Sequence, residues 1–259
     1  MSLNTIDRRE RFQKMLKKLY EKSQLVFALA WIIAYVVLAS IGDNVSAELG
    51  IDKIVTLPIL IAMSAILYFF VRKNGLTEKY GLCKSRLPAA KMLYYIPLLL
   101  LLTANLWYGV AMNRSPLETV LYILAMFCVG FLEELIFRGL LFQAMARDSV
   151  RAAIIVSSVT FGIGHIVNLF NGSGAELLSN LLQVIYATAV GFAFVMIYCR
   201  TRSLTPCIIV HSVFNGLSAF SNEAAMTPER QILSGVLLAV IAGGYALYLA
   251  LAVKEEPVQ

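Results

Sequence analysis

Charged residues are scarce in this sequence. Asp, Glu, Lys and Arg make up 15% of its 259 residues, against about 25% in an average soluble domain. Hydrophobic residues account for 59%, and the mean hydropathy is +0.75. This composition excludes an ordinary soluble domain and predicts a membrane protein with several transmembrane segments.

Paired cysteines and common hydrolase motifs are also missing. The chain has four cysteines: Cys83, Cys128, Cys199 and Cys207. They form no CxxC pair and no zinc-like spacing, and three lie in or beside apolar segments, so we expect all four to be reduced and structural. The HExxH motif is absent. Ser212 directly follows a histidine and therefore points about 100° away from it on a helix, which disfavours a covalent serine mechanism.

Long apolar segments are what the sequence has instead. Eight of them, each of about 17–25 residues, can cross ~30 Å of hydrocarbon. They lie at about 25–41, 54–71, 92–112, 117–141, 152–170, 177–198, 204–220 and 232–253. We therefore predict an all-α membrane protein with eight transmembrane helices, in which residues 1–259 form a single integral membrane domain.

The positions of the basic residues predict the orientation. If the N-terminus is cytoplasmic, 19 of the 22 Lys and Arg residues fall on the cytoplasmic side, and only Lys53, Arg114 and Arg230 fall outside. Acidic residues divide nearly evenly, as the positive-inside rule allows. We predict that both termini are cytoplasmic. The net charge of +6 thus reflects topology, and no nucleic acid partner is expected.

The N-terminal segment, 1–23, is basic and amphipathic. Ile6, Phe12, Met15, Leu16 and Leu19 alternate with basic residues, a pattern typical of a helix lying on an anionic membrane surface. A solvated basic tail is the alternative. The short chain and short loops favour a prokaryotic plasma membrane protein, in contact with the lipid bilayer.

Two adjacent carboxylates interrupt the fourth apolar segment. Glu133 and Glu134 lie in the stretch VGFLEELIFR, although a charged side chain at the bilayer centre costs about 3 kcal/mol on insertion scales. On a helix Glu134 shares a face with Arg138, four residues on, whereas Glu133 lies about 100° around. We predict that Glu134 pairs with Arg138 and that Glu133 points into a cavity. A purely structural ion pair is the alternative.

The two histidines of the chain both lie within apolar segments. His165 follows Phe161 by four residues and precedes Asn168 by three, while His211 precedes Asn215 by four. Each histidine could simply be hydrogen-bonded in the core. However, polar groups in hydrocarbon must meet one another or water. We therefore predict that these polar residues and the two glutamates surround one polar catalytic cavity inside the bundle.

Such a set of side chains has the chemistry of a peptide hydrolase that uses water as its nucleophile. A carboxylate and a neutral histidine can deprotonate water and later return the proton. A second histidine and an amide can donate hydrogen bonds to a developing oxyanion. Glu133, His165 and His211 could instead bind zinc or another divalent metal, so the residues leave metal dependence open.

At these residues the chain resembles the CAAX-protease and bacteriocin-processing (CPBP or Abi) family of intramembrane proteases. Three motifs carry the resemblance, each in its own apolar segment and in the family's order. They are EExxxR at Glu133, Glu134 and Arg138, FxxxH at Phe161 and His165, and HxxxN at His211 and Asn215. The motif-bearing core covers about residues 115–220.

The resemblance implies roles for these residues. Glu133 and His165 would activate water, His211 and Asn215 would hold the oxyanion, and Glu134 with Arg138 would orient the site. Phe161 and Asn168 are expected to contact the substrate. Whether family members use a metal is disputed, and we favour a metal-free mechanism. The implied substrates are prenylated CAAX tails, bacteriocin or pheromone leader peptides, and membrane anchors.

Two other functions remain open at this stage. The same cavity could serve a non-catalytic immunity or scaffold protein that binds a peptide or partner. Buried Glu and His also form proton relays, so a proton-coupled transporter is a further alternative, although no inverted repeat is evident.

The depths of the three motifs along their segments also predict the lengths of the helices and the side on which the site opens. At ~1.5 Å per residue, straight perpendicular helices would leave His211 closer to the cytoplasm than Glu133 and His165. We therefore expect long fourth and fifth helices, and a site that opens toward the cytoplasmic half.

Overall fold

A computed structural model describes residues 3–171 and 176–254, with side chains from residue 11 of the first helix onward. Within these ranges the chain is helical and has no strand, only an isolated bridge between Val110 and Ser221. Ten α-helices follow in order: α1 Leu3–Lys22, α2 Gln24–Glu48, α3 Thr56–Lys73, α4 Ile96–Leu102, α5 Pro116–Glu133, α6 Phe142–Ala146, α7 Val150–Gly164, α8 Leu177–Thr201, α9 Thr205–Leu217 and α10 Pro228–Ala252. The prediction of an all-α fold is confirmed.

Seven helical stretches of the described chain are long and apolar enough to cross a membrane. Large hydrophobic side chains cover their outward faces, as Ile33, Val240 and Leu251 show at more than half exposed, which is the surface that lipid requires. The chain is therefore an integral membrane protein. The prediction of eight spans is one too many by this measure, because the seventh predicted segment forms only the shorter apolar helix Thr205–Phe220.

The third predicted segment, 92–112, is not a continuous helix. A 3₁₀ stretch, Ala89–Tyr95, precedes α4, and Leu93, Tyr94 and Tyr95 have positive φ angles of 50–58°. Pro97 stands in the first turn of α4, where its missing N–H is harmless, but it could not be accommodated in the interior of a longer helix. The proline therefore favours a break just before α4.

The fourth predicted segment, in contrast, is longer than expected. Helix α5 continues without a break through a π-helical stretch, Glu134–Leu141, into α6. Together the three form one continuous helical stretch of 31 residues, Pro116–Ala146. Ser115 and Glu118 form a capping box at its start, which satisfies two of the free N–H groups there. The fifth segment is not long, because α7 ends at Gly164 and only a 3₁₀ turn follows.

The N-terminal segment forms helix α1. Its residues Leu16 and Tyr20 are buried against the bundle, while Phe12 and Met15 are exposed; the side chain of Ile6 lies outside the described residues. Lys79 donates a hydrogen bond to the Tyr20 hydroxyl at 2.7 Å. This helix thus packs on the protein with one face and leaves apolar residues exposed on another, as an interfacial helix would.

The loops at the end of the bundle nearest α1 pack tightly together. The Leu204 N–H donates to the carbonyl of Gly81 at 2.7 Å, and the Ser203 hydroxyl donates to the carbonyl of Cys83. Burial raises the pKa of the Cys83 thiol, although nearby Arg86 partly opposes that shift. Gly81 has a φ of +69°, and a Cβ there would lie 2.5 Å from a ring carbon of Tyr198. Glycine is therefore required at this contact.

The Gly81→Ala variant should be substantially less stable than the wild type. Left-handed backbone costs about 1–2 kcal/mol for a residue with a Cβ, and the contact with Tyr198 adds to this cost. Gly75→Ala is a matched control, since Gly75 has a φ of +67° but open space around a Cβ. Thermal unfolding in detergent should show a larger loss for Gly81→Ala. Equal losses would mean that the close packing contributes nothing.

Candidate functional site

A close contact between α5 and α9 brings the sequence motifs together. Gly130 of α5 lies against Ser212 of α9, and a Cβ at Gly130 would lie 2.8 Å from the Ser212 nitrogen. The absence of a side chain allows this approach. Because Glu133 and Glu134 follow Gly130 by one helical turn and His211 adjoins Ser212, the contact places both carboxylates beside His211.

Glu134 lies at the centre of a buried charge network. Its Oε1 atom accepts hydrogen bonds from Nη1 of Arg138 at 3.1 Å and from Nδ1 of His211 at 2.8 Å. The side chains of Glu134 and Arg138 are fully buried. A buried charge is stable only when it is paired, so this network explains why a glutamate and an arginine are tolerated one turn apart in an apolar helix.

Aromatic rings surround the guanidinium group of Arg138. Its Cζ lies 3.9 Å from the centre of the Phe161 ring and 5.6 Å from that of Phe194, so cation–π attraction adds to the ion pair. The Phe161 ring also contacts both histidine rings edge-on, with centroid distances of 5.1 Å to His165 and 5.7 Å to His211. Phe161 therefore links the three motifs by packing.

Glu133 has a different environment from its neighbour. It lines a cavity of about 590 Å³ between the helices, a volume typical of ligand sites. Its Oε1 accepts a hydrogen bond from the Tyr35 hydroxyl at 2.6 Å, and its Oε2 lies 3.6 Å from Nε2 of His211 without a hydrogen-bond partner among the described residues. One oxygen is thus fixed by a hydrogen bond, and the other is buried without a hydrogen-bond donor in the described part of the chain.

His165 begins the 3₁₀ turn that follows α7. Its Nδ1 lies 3.0 Å from the carbonyl oxygen of Phe161, and because a carbonyl only accepts, Nδ1 must be the donor. The neutral ring then carries its free lone pair on Nε2. Asn180 of α8 donates to the carbonyl of His165 at 2.7 Å, which fixes the turn. His165 lines the same cavity as Glu133.

The remaining predicted residues lie around this cavity. Asn215 and Phe161 line it, as does Asn168, whose amide donates to Oε1 of Gln183 at 3.1 Å. A smaller adjoining cavity of about 50 Å³ is lined by His211. The two cavities share six lining residues: Phe161, His165, Gln183, Tyr186, Phe214 and Asn215. The structure therefore gathers all eight predicted site residues into one region.

Two features of the site were not foreseen from the sequence. Tyr35 lies on α2, 98 residues before Glu133, in an apolar segment without any motif. The second feature is the π-helical geometry that starts at Glu134; such geometry is frequent at functional sites. A lone tyrosine in an apolar helix is only weak evidence for a functional residue. A π-helical stretch has no recognisable pattern in the sequence.

The structure also differs from the expected direction of access. The cavity is lined by the α2–α3 connection and by residues next to the starts of α5 and α8, among them Asp52, Lys53 and Arg114. These segments lie at the end of the bundle opposite α1, which the charge pattern assigns to the outside. The loops at the α1 end are packed together. If the termini are cytoplasmic, as the charge pattern predicts, the cavity therefore lies in the half opposite to the one in which the site was expected to open.

The predicted metal ligands do not form a cluster. In the described part of the chain, no group of three or more His, Cys, Asp or Glu side chains is arranged to hold a metal ion. Glu133 faces His211 at 3.6 Å, but this pair alone falls short of the three protein ligands that a catalytic zinc site needs. The arrangement of Glu133, His165 and His211 thus does not fit the zinc site considered above.

A family model matches the part of the chain that carries these residues. The model describes the type II CAAX prenyl endopeptidase Rce1-like family, and it matches residues 115–217. Residues 115–217 resemble this family. All six predicted catalytic residues fall inside the matched segment, whereas Tyr35 lies outside it. The resemblance to CAAX-type proteases that the motifs predicted is confirmed for this segment.

A curated relative agrees with the family match. Over 85 residues the chain is 33% identical to a protein of Bacillus subtilis (strain 168) named "Putative membrane peptidase YdiL". The aligned stretch covers 32% of this chain and 30% of the relative. No solved structure matches the chain significantly.

Replacing Arg138 with Met should destabilise the protein strongly. Removing one partner of a buried ion pair leaves an uncompensated charge and typically costs about 3–5 kcal/mol. Lys17 and Glu21 form a matched i,i+4 pair at 3.8 Å that is mostly exposed, so Lys17→Met should cost less than about 1 kcal/mol. Equilibrium unfolding in mixed micelles measures both. Similar values for the two variants would show that the buried network is not stabilised by its charge pairing.

Proposed function

We propose that this protein is an intramembrane endopeptidase that hydrolyses a peptide bond in a membrane-associated peptide or protein tail. One observation carries the proposal: Glu133, with an unpartnered carboxylate oxygen, lines the same cavity as His165 and Asn215. The family match at 115–217 supports a protease. The motif-bearing core at 115–220 would then carry the reaction within a single membrane domain.

Water is the proposed nucleophile. Oε2 of Glu133 and Nε2 of His165 are the basic atoms that the contacts leave free, and together they can accept a proton from a water molecule in the cavity. The resulting hydroxide attacks the carbonyl carbon of the substrate. When the C–N bond breaks, the same proton passes to the departing amine.

His211 and Asn215 are the proposed donors to the oxyanion. Nδ1 of His211 donates to Glu134 at 2.8 Å, while Nε2 lies 3.6 Å from Oε2 of Glu133. A protonated Nε2 can donate to the developing oxyanion, as can the amide of Asn215. Glu134 and Arg138 would orient the imidazole, as in other sites where a carboxylate fixes a histidine.

The site should not need a metal in this mechanism, and the substrate class stays broad. A leader peptide or membrane anchor fits the proposal as well as a CAAX tail. The partners are the lipid bilayer and a polypeptide substrate, with no nucleic acid. The charge pattern supports cytoplasmic termini, and the short chain and loops favour a prokaryotic plasma membrane.

Glu133→Gln should lower the rate of peptide hydrolysis by about 10²–10⁴-fold, the usual contribution of a general base. The purified full-length protein in detergent would be incubated with a pool of fluorogenic peptides. Glu48→Gln removes a carboxylate from an exposed position on α2 and should leave the rate unchanged. Wild-type activity in Glu133→Gln would rule out the proposed function.

A chelator should not change the activity of the wild-type protein. The same assay is run after extensive dialysis against a chelator, with metal content measured in parallel. Hydrolysis that disappears on chelation and returns when zinc is added would show that the metal-free mechanism is wrong, while leaving the peptidase assignment intact.

Tyr35→Phe should lower kcat by about 10-fold with little change in KM. Its hydroxyl holds Oε1 of Glu133 at 2.6 Å, so its loss should affect the positioning of the carboxylate and not the binding of the substrate. Tyr94→Phe, at a position 66% exposed, is the control. If Tyr35→Phe lost activity only in proportion to its loss of thermal stability, Tyr35 would have a structural role alone.

A further inference from the structure

The cavity that holds Glu133 is lined only by one half of the helical bundle. From Tyr35 in the middle of α2 the lining follows that helix as far as Ala47 and continues through 50–53 into the start of α3. It also includes Arg114, just before α5, and Ser218, just after α9. All of these positions lie level with Glu133 or between it and the end of the bundle away from α1.

The opposite end of the bundle is closed in the described structure. Arg138 lies one turn beyond Glu134 and is fully buried. Further along the same direction, Tyr80, Tyr198 and Leu204 are each at most 1% exposed. The hydroxyl of Tyr198 in α8 donates a hydrogen bond at 2.8 Å to the carbonyl of Lys79, which lies in the connection that follows α3. A peptide therefore has no route to Glu133 through these packed side chains.

The charge pattern assigns sides of the membrane to these two ends. Helix α1, the helix ends and loops at the closed end, and the buried Arg138 together account for 19 of the 22 Lys and Arg residues. Short loops rich in Lys and Arg stay in the cytoplasm. The open end carries only Lys53, Arg114 and Arg230 and is therefore the outer end.

The mouth of the cavity, defined here as Asp43, Asp52, Lys53 and Arg114, is charged but balanced. Lys53 pairs with Asp43 at 2.7 Å, and Arg114 pairs with Asp52 at 2.8 Å. One guanidinium nitrogen of Arg114, Nη1, is buried and has no hydrogen-bond partner among the described residues. Such a rim can exchange hydrogen bonds with a polypeptide backbone, whereas an acyl chain would leave these groups unsatisfied.

We propose that the substrate reaches Glu133 from the outer side of the membrane, as a hydrated polypeptide segment located on that face. This excludes cytoplasmic protein tails as substrates and selects exported peptides or the outer juxtamembrane segments of membrane proteins. The inference rests on the proposed peptidase function for its chemistry, but the direction of access can be tested without any hydrolysis.

Single cysteines report the access route directly. Ala39→Cys places a thiol in the cavity, one turn from Tyr35 on the same face of α2, and Lys84→Cys places one on an exposed position of the closed end. Right-side-out and inverted membrane vesicles carrying the full-length protein would be treated with a charged, membrane-impermeant thiol reagent. Peptide mapping by mass spectrometry resolves each site, so the native cysteines can remain.

The proposal predicts opposite labelling of the two positions. Ala39→Cys should be modified at least 10-fold faster in right-side-out vesicles, and Lys84→Cys in inverted ones. Modification of both in inverted vesicles, or of Ala39→Cys in neither preparation, would overturn the proposal. If Ala39→Cys does not fold, Ser40→Cys, which also lines the cavity, gives the same test. Labelling of Lys84→Cys from outside would overturn the assignment of sides.

A second measurement separates this inference from the peptidase function. The fluorogenic peptide pool is added to the outside of each vesicle preparation. Hydrolysis should occur in right-side-out vesicles and be at background in inverted ones. If outer access is confirmed by labelling but no peptide is cleaved even in detergent, the proposed function fails and the access route stands. Cleavage confined to inverted vesicles would contradict outer access and leave the peptidase assignment intact.

Discussion

The buried network of Glu134, Arg138 and His211 is the constraint on which the rest of the structure depends. Two charged side chains with no exposed surface can exist in an apolar bundle only if each finds its partner at hydrogen-bond distance. His211 must therefore approach Glu134, and this requires α9 to lie against α5. Gly130 permits that contact because a side chain there would collide with Ser212. The position of Glu133 in the cavity follows from the same contact.

The adjacent glutamates illustrate how one helix can give two carboxylates different environments. Oε1 of Glu134 accepts hydrogen bonds from Arg138 and His211, and the side chain is fully buried, which suits an orienting role. Glu133 has one oxygen fixed by Tyr35 and another free beside a cavity of about 590 Å³, which suits a proton acceptor. The separation depends on the angle between successive residues of a helix.

Much of the fold and of the candidate site could be predicted because both follow from the cost of polar groups in lipid. The apolar segments had to be helices, and the few polar residues within them had to meet, which is why Glu133, His165 and His211 stand out in the sequence. The break before α4 was less predictable, although Pro97 gave a local signal. Tyr35 could not have been selected, since a tyrosine in an apolar segment is as readily a packing residue.

The sequence by itself determined the class of protein and the set of polar residues within its apolar segments, because these depend on composition and on spacing along the chain. Tertiary structure alone decided which end of the bundle is open. That outcome depends on how loops distant in sequence pack, as at Gly81 and Leu204, and on the level at which the short helix α9 meets α5. Such contacts are set by the shapes of side chains that meet only after folding, so the pattern of one segment does not reveal them.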